Sequence, residues 1–195
     1  MTVRGWMDHS TELFLAAVGK LSDEQFAEAT ALPGWSRAHI VAHVHFNAEA
    51  LLRLLHWART GERTPMYEGP EQRASEIEHG AALPPPELRQ LLHDSTERLA
   101  TAMDQLPQAA WNHEVVTAQG RTVPAREVVW MRTREVAIHA VDLDAGTRFS
   151  DLPDDLNTAL VADVAQKRCT SGDAAALASW LTGRTAEAPQ LGPWL

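Results

Sequence analysis

From Ser36 to Arg59 the chain runs about 24 residues without a proline or a glycine. Ile40, Val41, Val44, Ala48, Leu51, Leu52 and Leu55 fall on one arc of a helical wheel, spaced as a core-facing helix requires. At 1.5 Å per residue such a helix is about 36 Å long. Its apolar stripe must be covered along its whole length, and the rest of the chain offers helices to do so. Trp6 to Leu21 carries Leu13, Ala16, Ala17 and Leu21 at helical spacing. Leu88, Leu91, Leu92, Leu99, Met103 and Leu106 are in register between Pro84-Pro85-Pro86 and Pro107. Pro124 at a first-turn position and Gly146 at a helix-ending position frame another helix of about 21 residues. Four long amphipathic helices with modest connections predict a mainly all-α four-helix bundle.

Shorter signals fill the gaps. Ser22 with Gln25 reads as a capping box opening a short helix that Pro33-Gly34 closes, and Ser36 caps the long helix that follows. Pro70 opens a further short helix that reaches His79 and stops before Gly80. Trp111 to Arg121 reads as a loop whose β signal is a strand or a hairpin around Glu114-Val115-Val116, with a turn at Gly120. Pro153 to Cys169 and Ala174 to Leu181 predict two more helices, ahead of a tail ending in Trp194-Leu195. The expected division is a bundle over residues 1–145 and a short helical region over 146–195.

Composition narrows the chemistry. Cys169 is the single cysteine, which excludes disulfides and every Cys-x-x-Cys metal or redox site, so any metal is held by histidine and carboxylate. A net charge of −9 with no Lys/Arg-rich run argues against nucleic acid or an anionic membrane as partner. No apolar run approaches the ~20 residues that span a bilayer, and a cytoplasmic location is expected. Of the 17 basic residues only Lys20 and Lys167 are lysine, as a GC-rich codon pool would produce.

Nine histidines supply many potential ligands, and the useful ones must face the core beside a carboxylate. On the Ser36 helix His43 lies at one side of the apolar arc, whereas His45 and His56 fall on its far edge and His39 farther out. On the Pro124 helix Glu135 and His139 are four apart and therefore on one face, among Val128, Met131 and Ile138. Two imidazoles and a carboxylate can provide three ligands of a tetrahedral metal with one position open, the pattern of a catalytic site. Asp142 is placed to hold the second N–H of His139 or to serve the surface. On spacing alone a solvated Glu-His pair and a satisfied core histidine are the commoner readings, and a metal set of this kind suits zinc without excluding nickel or iron. No Gly-x-Ser-x-Gly elbow, P-loop or Gly-x-Gly-x-x-Gly occurs, Cys169 has no histidine near it in sequence, and the tryptophans, Trp35 and Trp194 included, read as packing residues.

Four motifs together resemble one family. Leu32-Pro33-Gly34-Trp35-Ser36-Arg37-Ala38-His39-Ile40-Val41-Ala42-His43 is similar to the start of the metal-bearing helix in the mycothiol-dependent maleylpyruvate isomerase family, of the DinB-like superfamily. Ala58-Arg59-Thr60-Gly61 with Thr64-Pro65-Met66-Tyr67, Met131 through Leu143, and Trp180-Leu181-Thr182-Gly183-Arg184 follow in the family's order. The resemblance implies a DinB-like four-helix bundle and a zinc held by His43, Glu135 and His139. It also implies mycothiol, a thiol of actinobacteria, as co-substrate in aromatic catabolism. The implied reaction is cis–trans isomerisation of maleylpyruvate to fumarylpyruvate: a thiolate adds to the double bond, the resulting single bond rotates, and elimination returns the thiol.

That substrate is a dianion, so the expected supports are cations: Arg132, as a substrate-binding residue or equally a salt-bridge partner, and Arg184, in place of the family's C-terminal catalytic arginine or only as a tie for the C-terminus. The family's C-terminal α+β domain is shortened here, because only a few residues separate Lys167-Arg168 from Ala174 and leave no room for its strands. A mycothiol S-transferase acting on another electrophile, and a non-catalytic binding or stress protein, are the alternative functions.

Overall fold

The computed structural model describes residues 1–191; Trp194 and Leu195 lie outside the described residues. Two compact units are present, Met1–Asp151 and a second from Leu152 onward.

The first unit contains the expected four long helices. Helix α1 spans Val3–Lys20, its first turn capped by Thr2, whose Oγ1 accepts from the Gly5 N–H at 3.1 Å. Helix α2 spans Arg37–Thr60 and is stopped by Gly61 at φ +80°, a left-handed conformation that glycine adopts without steric cost. The short helix α3 spans Pro70–Ala81, α4 spans Pro85–Asp104 and α5 spans Glu127–Asp142. Helix α1 packs along α5, while α2 packs against α3, α4 and α5. The buried apolar side chains form two clusters. One gathers Met7, Leu51, Leu54, Leu99, Met103 and Val128; the other gathers Phe14, Val18, Ile40, Val41, Val44, Leu92, Val136 and Ala140.

Several boundaries differ from the sequence expectation. The Ser22 segment is a single 3-10 turn, Glu24–Ala27: Gln25 Oε1 does accept from the Ser22 N–H at 2.9 Å, but the Ser22 hydroxyl turns to Glu24 at 2.8 Å and the box is half made. The hairpin is present as β1, Glu114–Val116, antiparallel to β2, Thr122–Pro124. Pro124 therefore ends a strand opposite Glu114 rather than opening a helix, and α5 begins three residues later. Helix α3 does not stop before Gly80 but runs through it. A Cβ at Gly80 would lie 2.9 Å from Ala42 Cβ and 2.9 Å from Phe46 Cε2, so the glycine is where α3 closes onto α2. Among the described residues the second unit holds no strand: α6, Asp154–Arg168, a π turn over Cys169–Asp173 and α7, Ala174–Leu181.

Candidate metal centre

Helices α2 and α5 bring His43, Glu135 and His139 together, and all three side chains are buried. His43 lies two turns into α2, where Ile40, Val41 and Val44 seat that part of the helix in the core. Glu135 and His139 stack one turn apart near the end of α5, between Val136 and Ala140, which pack into the same cluster. His43 Nε2 is 2.8 Å from Glu135 Oε2, and His139 Nε2 is 3.4 Å from the same oxygen. One ligand atom from each residue lies within 4.8 Å of the other two. The two imidazoles meet edge to face, with ring centroids 4.8 Å apart.

Neighbouring groups fix this geometry. Asp142 Oδ2 accepts from His139 Nδ1 at 2.9 Å, which turns Nε2 toward Glu135. At the far end of the contact Arg37 ties α2 to the end of α5, its Nε donating to Leu143 O at 2.7 Å and its Nη2 to Asp144 O at 3.0 Å, while Nη1 pairs with Glu28. The loop before α2 folds back on itself: Trp35 N–H donates to Leu32 O, and Thr30 N–H and Oγ1 both donate to Trp35 O. Gly34, at φ +79°, makes that bend. The Trp35 ring is thereby set 5.4 Å from the His43 ring and 6.5 Å from that of His139.

The electrostatics of the three groups divide sharply. Burial lowers the His43 pKa and outweighs the opposing pull of Glu135. Burial also acts to lower His139, but the hydrogen bonds and charges of Asp142 and Glu135 carry it up to about 9. Burial acts to raise Glu135, and its contacts with His139 and His43 more than reverse this, so it stays ionised. A divalent cation held here would take the place of the extra proton on His139 and keep the buried carboxylate as a ligand. The donor set fits zinc: two imidazole nitrogens and one carboxylate oxygen converge, and three protein ligands leave a position for another group.

The other expected site residues are placed elsewhere. Arg132 does not face the cluster as a free cation. It is 1% exposed, and its Nη1 donates to Val44 O at 2.7 Å and to Asn47 Oδ1 at 2.9 Å. Burial lowers its pKa to about 10. These bonds tie α5 to α2. Arg184 belongs to the second unit, where it is exposed and donates to Thr182 O at the end of α7. His45, expected at the edge of α2, is buried with Nδ1 2.9 Å from Ser95 Oγ, because α4 covers that side of the helix. Two neighbours of the cluster escaped the sequence reading. Trp35 was expected only to pack, and Arg73 of α3, with Nη2 3.5 Å from His43 Nδ1, was not singled out.

A groove of ≈ 980 Å³ runs elsewhere along α2 and α4, past His45, Glu49, Arg53, Asp94 and Arg98. Its charges are mixed and, among the described residues, the candidate ligand cluster is not part of it.

Residues 7–144 match the family described as the mycothiol maleylpyruvate isomerase N-terminal domain. A crystal structure of the mycothiol-dependent maleylpyruvate isomerase is 44% identical, with a TM-score of 0.84 over 88% of this chain and 73% of that one. A crystal structure of a histidine-to-alanine mutant of the mycothiol-dependent maleylpyruvate isomerase is 43% identical with the same TM-score and coverage. No curated protein matches significantly. No helix among the described residues is long and apolar enough to cross a membrane.

Proposed function

The chain belongs to the mycothiol-dependent maleylpyruvate isomerase family, and from that membership and its buried His-Glu-His cluster we propose that it isomerises maleylpyruvate to fumarylpyruvate with mycothiol as thiol co-substrate and zinc as resident metal. The fold is the all-α DinB-like bundle of that family. The single observation that carries the reading is the convergence of His43, Glu135 and His139 at the α2–α5 contact, buried and tied from behind by Asp142.

Zinc held by these three side chains would supply Lewis acidity, lowering the pKa of a coordinated thiol so that it is ionised at neutral pH. The protein's own groups do the rest. Glu135 keeps a full negative charge in the bundle because two imidazoles satisfy it. Asp142 fixes the orientation and tautomer of His139. Trp35 lies over the two histidine rings and limits water at the cluster. Arg184 of the second unit is proposed as the catalytic arginine, to be tested by loss of kcat in Arg184→Gln with zinc content unchanged.

The reaction returns the thiol, and that distinguishes it. Zinc-loaded protein with mycothiol and maleylpyruvate should give fumarylpyruvate with mycothiol recovered at its starting concentration. Stoichiometric consumption of the thiol into a conjugate would instead establish an S-transferase. Protein that purifies without zinc, with His43→Ala as stable and as active as the parent, would refute both enzymatic readings.

A further inference from the structure

Arg73 stands out among the arginines around the cluster. Arg132 is buried on Val44 O and Asn47, Arg37 is paired with Glu28, and Arg53 donates to Met66 O and lies 3.7 Å from Glu76. Arg73 has no carboxylate partner among the described residues, and it is half-buried rather than enclosed. The carboxylate one turn along α3, Glu76, is occupied at Oε1 by Gln72 Nε2 at 2.7 Å and by Arg53. Its Nη2 lies 3.5 Å from Nδ1 of His43.

That contact holds only while Nδ1 is an acceptor. His43 Nε2 faces Glu135 Oε2 at 2.8 Å, and the guanidinium of Arg73 lies on the opposite side of the ring, beside Nδ1. Were His43 to hold a metal through the nitrogen that faces Glu135, its N–H would be on Nδ1, a donor beside the guanidinium. Two donors set together need an acceptor between them, and a carboxylate oxygen satisfies both with charge-assisted bonds. Tyr67 is partly buried, with Arg73 and Glu135 within electrostatic reach.

We propose that Arg73 and the Nδ1–H of His43 form a carboxylate-binding subsite beside the metal, which holds one carboxylate of a dicarboxylate substrate. The proposal rests on the function proposed above for the choice of substrate class. It adds a positive group to a protein whose net charge is −9 and whose proposed substrate is a dianion.

The test uses zinc-loaded protein and two probes without reactive keto groups, maleate and its uncharged diamide, followed by calorimetric titration. Arg73→Gln should bind maleate about tenfold to a hundredfold more weakly, as loss of one charge-assisted pair predicts. Diamide binding and zinc content should stay unchanged, and Arg73→Lys should recover part of the loss. Maleate binding within twofold of the parent in Arg73→Gln, or no maleate binding by the parent, overturns the subsite. Loss of zinc without selective loss of maleate overturns it too, and makes Arg73 a support of His43. If maleate binding depends on Arg73 while mycothiol and zinc leave maleylpyruvate unchanged, the subsite stands and the proposed reaction fails.

Discussion

Asp142→Asn separates two effects of one carboxylate that oppose each other at the candidate metal centre. Asp142 Oδ2 is 2.9 Å from His139 Nδ1. Burial pulls the His139 pKa down, and Asp142 with Glu135 carries it up to about 9. A metal at Nε2 has to displace that proton. At pH 7 the solution is about two units below the pKa of the ring, so proton competition weakens metal binding roughly a hundredfold, or about 3 kcal/mol. Zinc affinity should therefore rise about tenfold per unit from pH 7 and level off above 9. Asparagine retains the shape and an acceptor oxygen but removes the charge. The His139 pKa falls, which relieves the competition at pH 7, while the ring loses the carboxylate that makes it a stronger ligand, about tenfold to a hundredfold in affinity.

The two proteins should thus bind zinc almost equally near pH 7 and diverge to the full deficit near pH 9. Chelator-competition titrations between pH 6.5 and 9 read this directly. A deficit of constant size across the range, or none, would refute the assignment of the raised His139 pKa to Asp142. Stability supplies a second reading. The folded, metal-free state holds the His139 proton above the unfolded value near 6.5, so this stabilisation is complete below pH 6.5 and is lost as pH rises through 9. The metal-free parent should lose about 3 kcal/mol over that span, and Asp142→Asn much less.

The parts of this site that lie on long apolar helices were legible from spacing. His43 follows the core arc of α2, and Glu135 and His139 follow the i, i+4 rule among residues that pack inward. Spacing on one helix does not contain the distance to another, however, so only the α2–α5 contact distinguishes a ligand set from a satisfied pair. A wheel with one buried arc puts His45 at the edge of α2, whereas α3, α4 and α5 cover the helix on more than that arc. Pro124 carries the same ring constraint in a strand end as in a first helical turn, and the neighbouring bonds decide between them: Ala125 N–H to His113 O and Arg126 N–H to Trp111 O extend the hairpin layer past it. Arg73 was invisible for another reason. Helix α3 is short and mostly polar, Pro-Glu-Gln-Arg-Ala-Ser-Glu-Ile, and has no stripe from which its orientation could be read. Gly80 sets that orientation through contact, and a contact of that kind has no signature in a single sequence.

Gly80→Ala should destabilise the protein by about 1–3 kcal/mol, since the added methyl meets Ala42 and Phe46 at 2.9 Å, and should lower the Tm by about 2–10 °C in calorimetry. An unchanged Tm would show that α3 moves away from α2 without cost. Arg37→Met removes the donors to Leu143 O and Asp144 O and should cost about 2–3 kcal/mol in urea unfolding. Faster hydrogen exchange should be confined to the end of α5. Arg132→Met separates a tie from a substrate-binding group. The Arg132 head is enclosed by Val44 O and Asn47 and is coupled to Glu135 through charge alone, so its loss should act on folding and leave the KM for maleylpyruvate within twofold of the parent while the Tm falls. A tenfold rise in KM at unchanged Tm would return Arg132 to the substrate, and would require its guanidinium to leave Val44 and Asn47 whenever substrate is bound.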